Sequence, residues 1–177
     1  WIGTPEEVEP RVAPMMMHAP KPGDPIGEFM MKIMTDPRST QALSLLNTGG
    51  FDPNSRACHA AEIGGGGGIS NARGLAGMYA PLACGGELGG VRLVDRAQLA
   101  RMGEVSVATN EDATLLIPTR FSLGFMKSMD NRRRPRGDRD SAILSSAAFG
   151  HVGAGGSIGF ADPELGMSFG YSMNRMG

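Results

Sequence analysis

The residues best placed to do chemistry lie near the end of the chain, in His151-Val152-Gly153-Ala154-Gly155-Gly156-Ser157. A histidine opens a short apolar run. Gly153, Gly155 and Gly156 then remove the side chains that would hold another molecule off the backbone, so main-chain N–H groups can meet a ligand oxygen. Ser157 adds a hydroxyl. Other chemically suggestive residues lack partners. Cys58-His59 are neighbours, pointing about a quarter-turn apart on a helix with no Cys or His at metal spacing, so neither a metal site nor a cofactor is expected. His18 is isolated, and the acidic trio Glu6, Glu7 and Glu9 reads as a solvated loop face. The glycines at 64–68 resemble a phosphate-cradling loop, but no apolar strand precedes them and no Lys-Ser/Thr follows. The arginines at 132–134, 136 and 139 stand among Asp130, Asp138 and Asp140 without interleaved aromatics. With a net charge of -1, they read as a charged loop, and no nucleic-acid partner is expected.

These residues need a scaffold. A chain of 177 residues, 41% hydrophobic, is long enough to bury one globular core. The apolar C-terminal run carries His151 and is broken by Asp162-Pro163, so no transmembrane segment is expected. Cys58 and Cys84, in no CxxC arrangement, read as buried free thiols and leave the redox compartment open. The chain starts with Trp1 rather than Met; this is read as a cut boundary, with any earlier targeting segment left open.

Pro5, Pro10, Pro14, Pro20 and Pro22 make residues 1–23 an extended connecting segment. Helices are expected from Asp24 as cap to Pro37, with Phe29, Met30, Ile33 and Met34 packing inward, and over 39–46, with Leu43 and Leu46 inward. A third covers 54–63. Ser70 or Asn71 caps a fourth, whose buried stripe includes Leu75, Tyr79 and Leu82 and whose last turn Pro81 kinks. A short strand at 91–94 precedes a capping-box start at Asp95 and Gln98. Phe121, Leu123 and Phe125 alternate as in a strand. Two antiparallel strands then flank the turn Asp162-Pro163-Glu164-Leu165-Gly166. The fold class is α+β: 24–104 mainly helical, 105–177 mainly strands, the helices packed on an antiparallel sheet.

His151-Val152-Gly153, running on through Ala154-Gly155-Gly156-Ser157 to Asp162-Pro163, resembles the third active-site motif of the serine β-lactamase-like superfamily. It is most similar to the esterases and carboxypeptidase-like hydrolases related to class C β-lactamases, where Lys-Thr-Gly is often replaced by His-x-Gly. Ser70-Asn71-Ala72-Arg73-Gly74-Leu75-Ala76 with Tyr79, Gly85-Gly86-Glu87-Leu88 and Gly90-Val91-Arg92-Leu93 resemble that family's helix and following loop, and Arg120-Phe121-Ser122-Leu123-Gly124-Phe125 its lead-in strand. The resemblance runs from about residue 60 to the end. It implies a β-lactamase/transpeptidase-like fold, of which residues 1–177 are the C-terminal portion of a single domain.

The implied activity is acyl transfer to a serine from a small-molecule ester or amide, through an acyl-enzyme. His151 would take the place of the motif's first residue, the backbone N–H of Ala154 would be one oxyanion-hole donor, and Gly153, Gly155, Gly156 and Ser157 would line the substrate. A histidine, with a reference pKa of about 6.5, is mostly neutral at pH 7 where lysine is cationic, so neutral esters are expected over carboxylate-bearing β-lactams. The family's Ser-x-x-Lys is not here: no serine has a lysine three residues on, the lysines being Lys21, Lys32 and Lys127, and neither Tyr79 nor Tyr171 has an asparagine two residues on. This chain alone is therefore expected to be inactive. Because the superfamily's sheet also takes strands from the N-terminal end, an open sheet edge is expected, inviting self-association or a companion N-terminal portion.

Two rival readings remain. Gly155-Gly156-Ser157-Ile158-Gly159 matches GxSxG, the nucleophile elbow of α/β-hydrolases, which requires a helix directly after the serine; glycine and proline follow instead. A catalytically inactive homologue could also bind a ligand through the same glycine-lined groove.

Overall fold

A computed structural model of the chain describes residues 1–17, 22–24, 26–129 and 145–176. His18 and the arginine run lie outside the described residues. The chain forms two units, one made of Trp1–Ser70, Glu111–Ile117 and Asn174–Gly177, the other of Asn71–Asn110 and Pro118–Met173.

In the first unit a 3-10 turn, Glu6–Arg11, precedes three short helices: α1 (Glu28–Thr35), α2 (Thr40–Leu46) and α3 (Arg56–Ala60). The proline-rich start is thus not extended throughout; Pro5 takes the extended position before the turn and Pro10 fits inside it. Nor is the acidic trio merely solvated. Arg56 Nε lies 2.9 Å from Glu6 Oε2, and His59 Nδ1 lies 2.8 Å from Glu9 Oε1 while its Nε2 lies 2.8 Å from the Pro53 carbonyl. These contacts pin the turn to α3 and bury His59. Ser39 and Ser55 cap α2 and α3, their hydroxyls accepting from the N–H groups of Ala42 and Cys58. Asp24 does not cap α1. The helix starts at Glu28 with Gly27 in the cap position, which leaves Asp24 too far upstream to reach the free N–H groups. The helical faces also differ from expectation: Met30, Met34, Leu43 and Leu46 are exposed, and α1 and α2 bury Ile33, Ala42 and Gln41. Gln41 Nε2 donates to the carbonyls of Ala113 and Thr114, which explains how a polar side chain comes to sit inside.

The second unit is built on α4 (Ala72–Ala83), capped by Asn71, whose Oδ1 accepts from Gly74 N at 2.9 Å. α4 runs through Pro81 to Ala83, then a small hairpin of β1 (Glu87–Leu88) and β2 (Val91–Arg92) leads to α5 (Arg96–Gly103). Asp95 caps α5 by accepting from Gln98 N. Among the described residues six strands follow: β3 (Val107–Thr109), β4 (Thr119–Phe121), β5 (Met126–Lys127), β6 (Phe149–Val152), β7 (Ile158–Asp162) and β8 (Met167–Tyr171). They form one antiparallel sheet in sequence order, with β3 and β8 at its edges. The alternation of Phe121, Leu123 and Phe125 is not one strand: Ser122 N donates to Phe125 O, and Gly124, at φ +81°, turns the chain between β4 and β5. The run expected to be one strand before Asp162 is likewise a hairpin, β6 and β7, folded at its glycines.

Tyr79, Leu82 and Ala83 of α4 pack with Phe149 and Ala161 of the sheet, flanked by Val94, Leu99, Met102 and Phe125. Each large side chain so buried contributes about 1.5–3 kcal/mol. Burial raises the pKa of the Tyr79 phenol, as befits a core ring. Cys58 is a buried free thiol, but Cys84 is exposed because it follows the last turn of α4. Among the described residues no helix is long and apolar enough to cross a membrane.

Asp162, fully buried at the end of β7, ties the turn into this core. It accepts from Ser145 Oγ (2.6 Å) and N (3.0 Å) and from the N–H groups of Glu164 and Leu165, both at 3.2 Å. Burial pushes the carboxyl up, but the bonds from Ser145, Leu165 and Glu164 outweigh it and hold its pKa below the usual range. A carboxylate whose folded pKa is depressed stabilises above its unfolded pKa, near 3.9, and that stability is lost as pH falls through the folded value. Asp162→Asn is therefore expected to cost about 1–2 kcal/mol at pH 7, with the gap to the parent closing below pH 4. Urea unfolding at pH 7 and pH 3 checks this; a pH-independent gap would show that the charge plays no part.

Candidate active site

His151, Gly153, Ala154, Gly155, Gly156 and Ser157 all fall on the β6–β7 hairpin. Gly153 N donates to Ser157 O (2.7 Å) and Gly156 N to Gly153 O (2.9 Å), closing a tight turn. Gly156 sits at φ +99°, a backbone region where a side chain is strained. Locally, then, Gly156 is there because the hairpin reverses within five residues, whereas a Cβ at Gly153 would make only ordinary contacts at 3.7 Å. The N–H of Ala154, exposed at the crown, forms no hydrogen bond among the described residues.

His151 pairs with Gly159, which in turn pairs with Gly170. A Cβ at Gly159 would strike Tyr79, and one at Gly170 would strike the α4 backbone, so this row lies on the helix-bearing face of the sheet. The imidazole is exposed. Its Nδ1 lies 2.6 Å from the carbonyl of Val152. A carbonyl can only accept, so Nδ1 carries the hydrogen in this contact, and Nε2 is the ring nitrogen left facing outward to a ligand.

Two neighbours escaped the sequence reading. The Phe121 ring lies 6.2 Å from the His151 ring, tilted by 40°, and walls one side of it. Met173, just beyond β8, accepts a hydrogen bond at Sδ from Ser157 Oγ at 3.4 Å, and its Cε closes on Gly156. Phe121 was visible as one of an alternating set and as part of the lead-in strand, neither of which placed it against His151, and nothing in the local pattern linked Met173 to a turn sixteen residues earlier. Ser157 is thus held by a thioether and leads directly into β7. The helix a nucleophile elbow needs is absent, so the GxSxG match does not describe this hairpin.

Lys127 is buried, its Nζ donating to the Ala147 carbonyl (3.1 Å) and lying 5.8 Å from the centre of the Phe149 ring. Burial lowers its pKa and the Arg120 charge adds to this, against the pull of Asp162. Among the described residues no group of three or more His, Cys, Asp and Glu could hold a metal ion.

Known proteins resemble this chain along its length. The protein-family model described as Beta-lactamase matches residues 1–177. Over 116 residues the chain is 36% identical to Esterase/beta-lactamase LipL of Mycobacterium tuberculosis, covering 66% of this chain and 24% of that protein. Among solved structures it is similar to a family VIII carboxylesterase (31% identity, TM-score 0.71) and to EstA from Arthrobacter nitroguajacolicus (30%, 0.76). A penicillin-binding protein homolog from Caulobacter crescentus is 28% identical with a TM-score of 0.73. The chain is covered at 99%, 100% and 100% in these matches and spans 41%, 44% and 43% of the respective structures. Its helices and antiparallel sheet are thus a partial copy of the β-lactamase/transpeptidase-like fold. Matched from its first residue to its last, the chain belongs to the beta-lactamase family.

Proposed function

We propose that this chain supplies one wall of the active site of a serine esterase that works through an acyl-enzyme, with the nucleophilic serine contributed by sequence outside these residues. The observation that carries this reading is the unpaired, exposed N–H of Ala154 three residues from an exposed imidazole. A free backbone donor at a side-chain-poor turn can bind the oxygen that gains charge when an ester carbonyl is attacked, without reorganising as it does so. On the same hairpin, the imidazole of His151 in its neutral form would add an acceptor at Nε2. The absence of Ser-x-x-Lys here and the short span relative to the solved structures support a serine from elsewhere.

Two measurements test this. A fluorophosphonate probe followed by intact mass is expected to leave the folded chain unmodified, and Ser157→Ala to behave identically; an adduct that vanishes in the variant would make Ser157 the nucleophile and end the proposal. In the longer protein containing this chain, neutral p-nitrophenyl esters are expected to be cleaved in preference to β-lactams. There His151→Ala should lower kcat/KM about a hundredfold or more; unchanged turnover would remove His151 from the site.

The same reading includes an unfinished sheet. Edge strand β8 exposes Met167, Phe169 and Tyr171 at alternating positions, with Phe169 stacked on Phe160 at 5.3 Å. The isolated chain is therefore expected to self-associate. A monodisperse monomer by light scattering at high concentration would count against it.

A further inference from the structure

Away from the hairpin, α5 and the start of β6 enclose a groove of about 350 Å³. Its walls are Leu99, Ala100, Gly103, Ala147, Phe149 and Pro163, and its two charges sit at opposite ends of α5, Arg96 and Glu104. The Arg96 guanidinium makes no hydrogen bond or ion pair among the described residues. The nearest carboxylate in sequence, Asp95, is already committed to capping Gln98 N at 2.6 Å. In the adjoining polar cleft, which Arg96 also borders, Arg92 is ion-paired with Glu87. Among the described residues Arg96 is therefore the one cation that lines the groove, and it has no counter-charge.

An apolar groove with a single cation in its lining selects an amphiphile with one anionic head. A guanidinium fork matches the two coplanar oxygens of a carboxylate, and the first turn of α5 adds partial positive charge on the same side. Glu104 sets the limit at the other end. Eight residues of helix rise about 12 Å, so a longer anion would run its tail, or a second charge, into that carboxylate. We propose that this groove binds a medium-chain monocarboxylate, its head on Arg96 and its tail over Phe149 and Gly103. This is the chemical class that cleavage of an aliphatic ester releases, but the assignment rests on the groove alone and stands whether or not the longer protein is an esterase.

The test is a titration of the ¹⁵N-labelled 177-residue chain with octanoate, octanol and inorganic phosphate, followed by amide shifts. Octanoate is expected to saturate with an affinity on the order of millimolar, moving the amides of Leu99, Gly103 and Phe149, while octanol binds at least tenfold more weakly. Arg96→Gln should weaken octanoate tenfold or more and leave octanol unchanged. Gly103→Leu blocks the channel directly: a Cβ there meets Phe149 Cδ1 at an ordinary 3.6 Å, so the larger side chain enters the groove without backbone strain. Absence of saturable shifts, equal binding of octanol, an unaffected Arg96→Gln, or phosphate reproducing the octanoate pattern would each overturn the assignment.

Discussion

Phe149→Ala is expected to destabilise the chain by about 3–5 kcal/mol. Phe149 is 1% exposed and stands where three elements meet. Its ring is edge-on to Phe125, with centroids 5.1 Å apart and an interplanar angle of 66°, and it clusters with Tyr79, Leu82 and Ala83 of α4 and Ala161 of β7. Truncation removes the transfer free energy of the ring and leaves a cavity that β6, held on both sides by β5 and β7, cannot collapse to fill. A third cost follows from Lys127, whose ammonium lies near the same ring and donates to Ala147 O. Losing the ring changes the surroundings of a buried charge whose alternative is to shed its proton. In a chain of this length the loss corresponds to a fall in Tm of about 10 °C. Phe149→Leu, which keeps most of the volume, should cost less than half as much. Thermal and urea unfolding followed by circular dichroism decide it: a loss below about 1 kcal/mol would mean that the sheet and α4 do not share this core.

What the sequence made legible follows from where the physics is local. Asn71 and Asp95 act as helix caps as expected, because a cap needs only a side-chain oxygen within three residues of a free N–H. The turn at 163–166 is equally local, although Asp162 owes its burial to Ser145, seventeen residues away. Burial was legible only where a helix meets a complete partner. The stripe of α4 is inward at Tyr79 and Leu82 because the sheet lies beneath it, whereas the same reasoning failed for Met30, Met34, Leu43 and Leu46. Periodicity shows that a helix has an apolar face, not whether these residues include the surface that covers it. At the candidate site, His151 and the glycines were found through a contiguous motif. Phe121 and Met173 reach them only through sheet register and a returning strand, which no spacing rule supplies.

The same one-carbon change at two glycines should have opposite signs. Gly170 lies in β8 against α4, and a Cβ there would strike the carbonyl oxygen of Ala72, come within 2.6 Å of Ala76 N and reach 2.7 Å from Leu75 Cβ. Two of these three atoms are helix backbone. No rotamer change relieves the clash, so β8 and α4 must separate along their shared interface, and Gly170→Ala is expected to cost about 2–3 kcal/mol. Gly77, in the middle of α4, has nothing within 4 Å of a Cβ built on it and is exposed. There alanine adds helix propensity and restricts the unfolded chain without meeting anything, so Gly77→Ala should stabilise by about 0.5–1 kcal/mol. Measured together by urea unfolding, the pair separates packing from propensity on one helix. If Gly170→Ala proved neutral, β8 would not be seated on α4, and the row that sets His151 on that face of the sheet would lose its anchor.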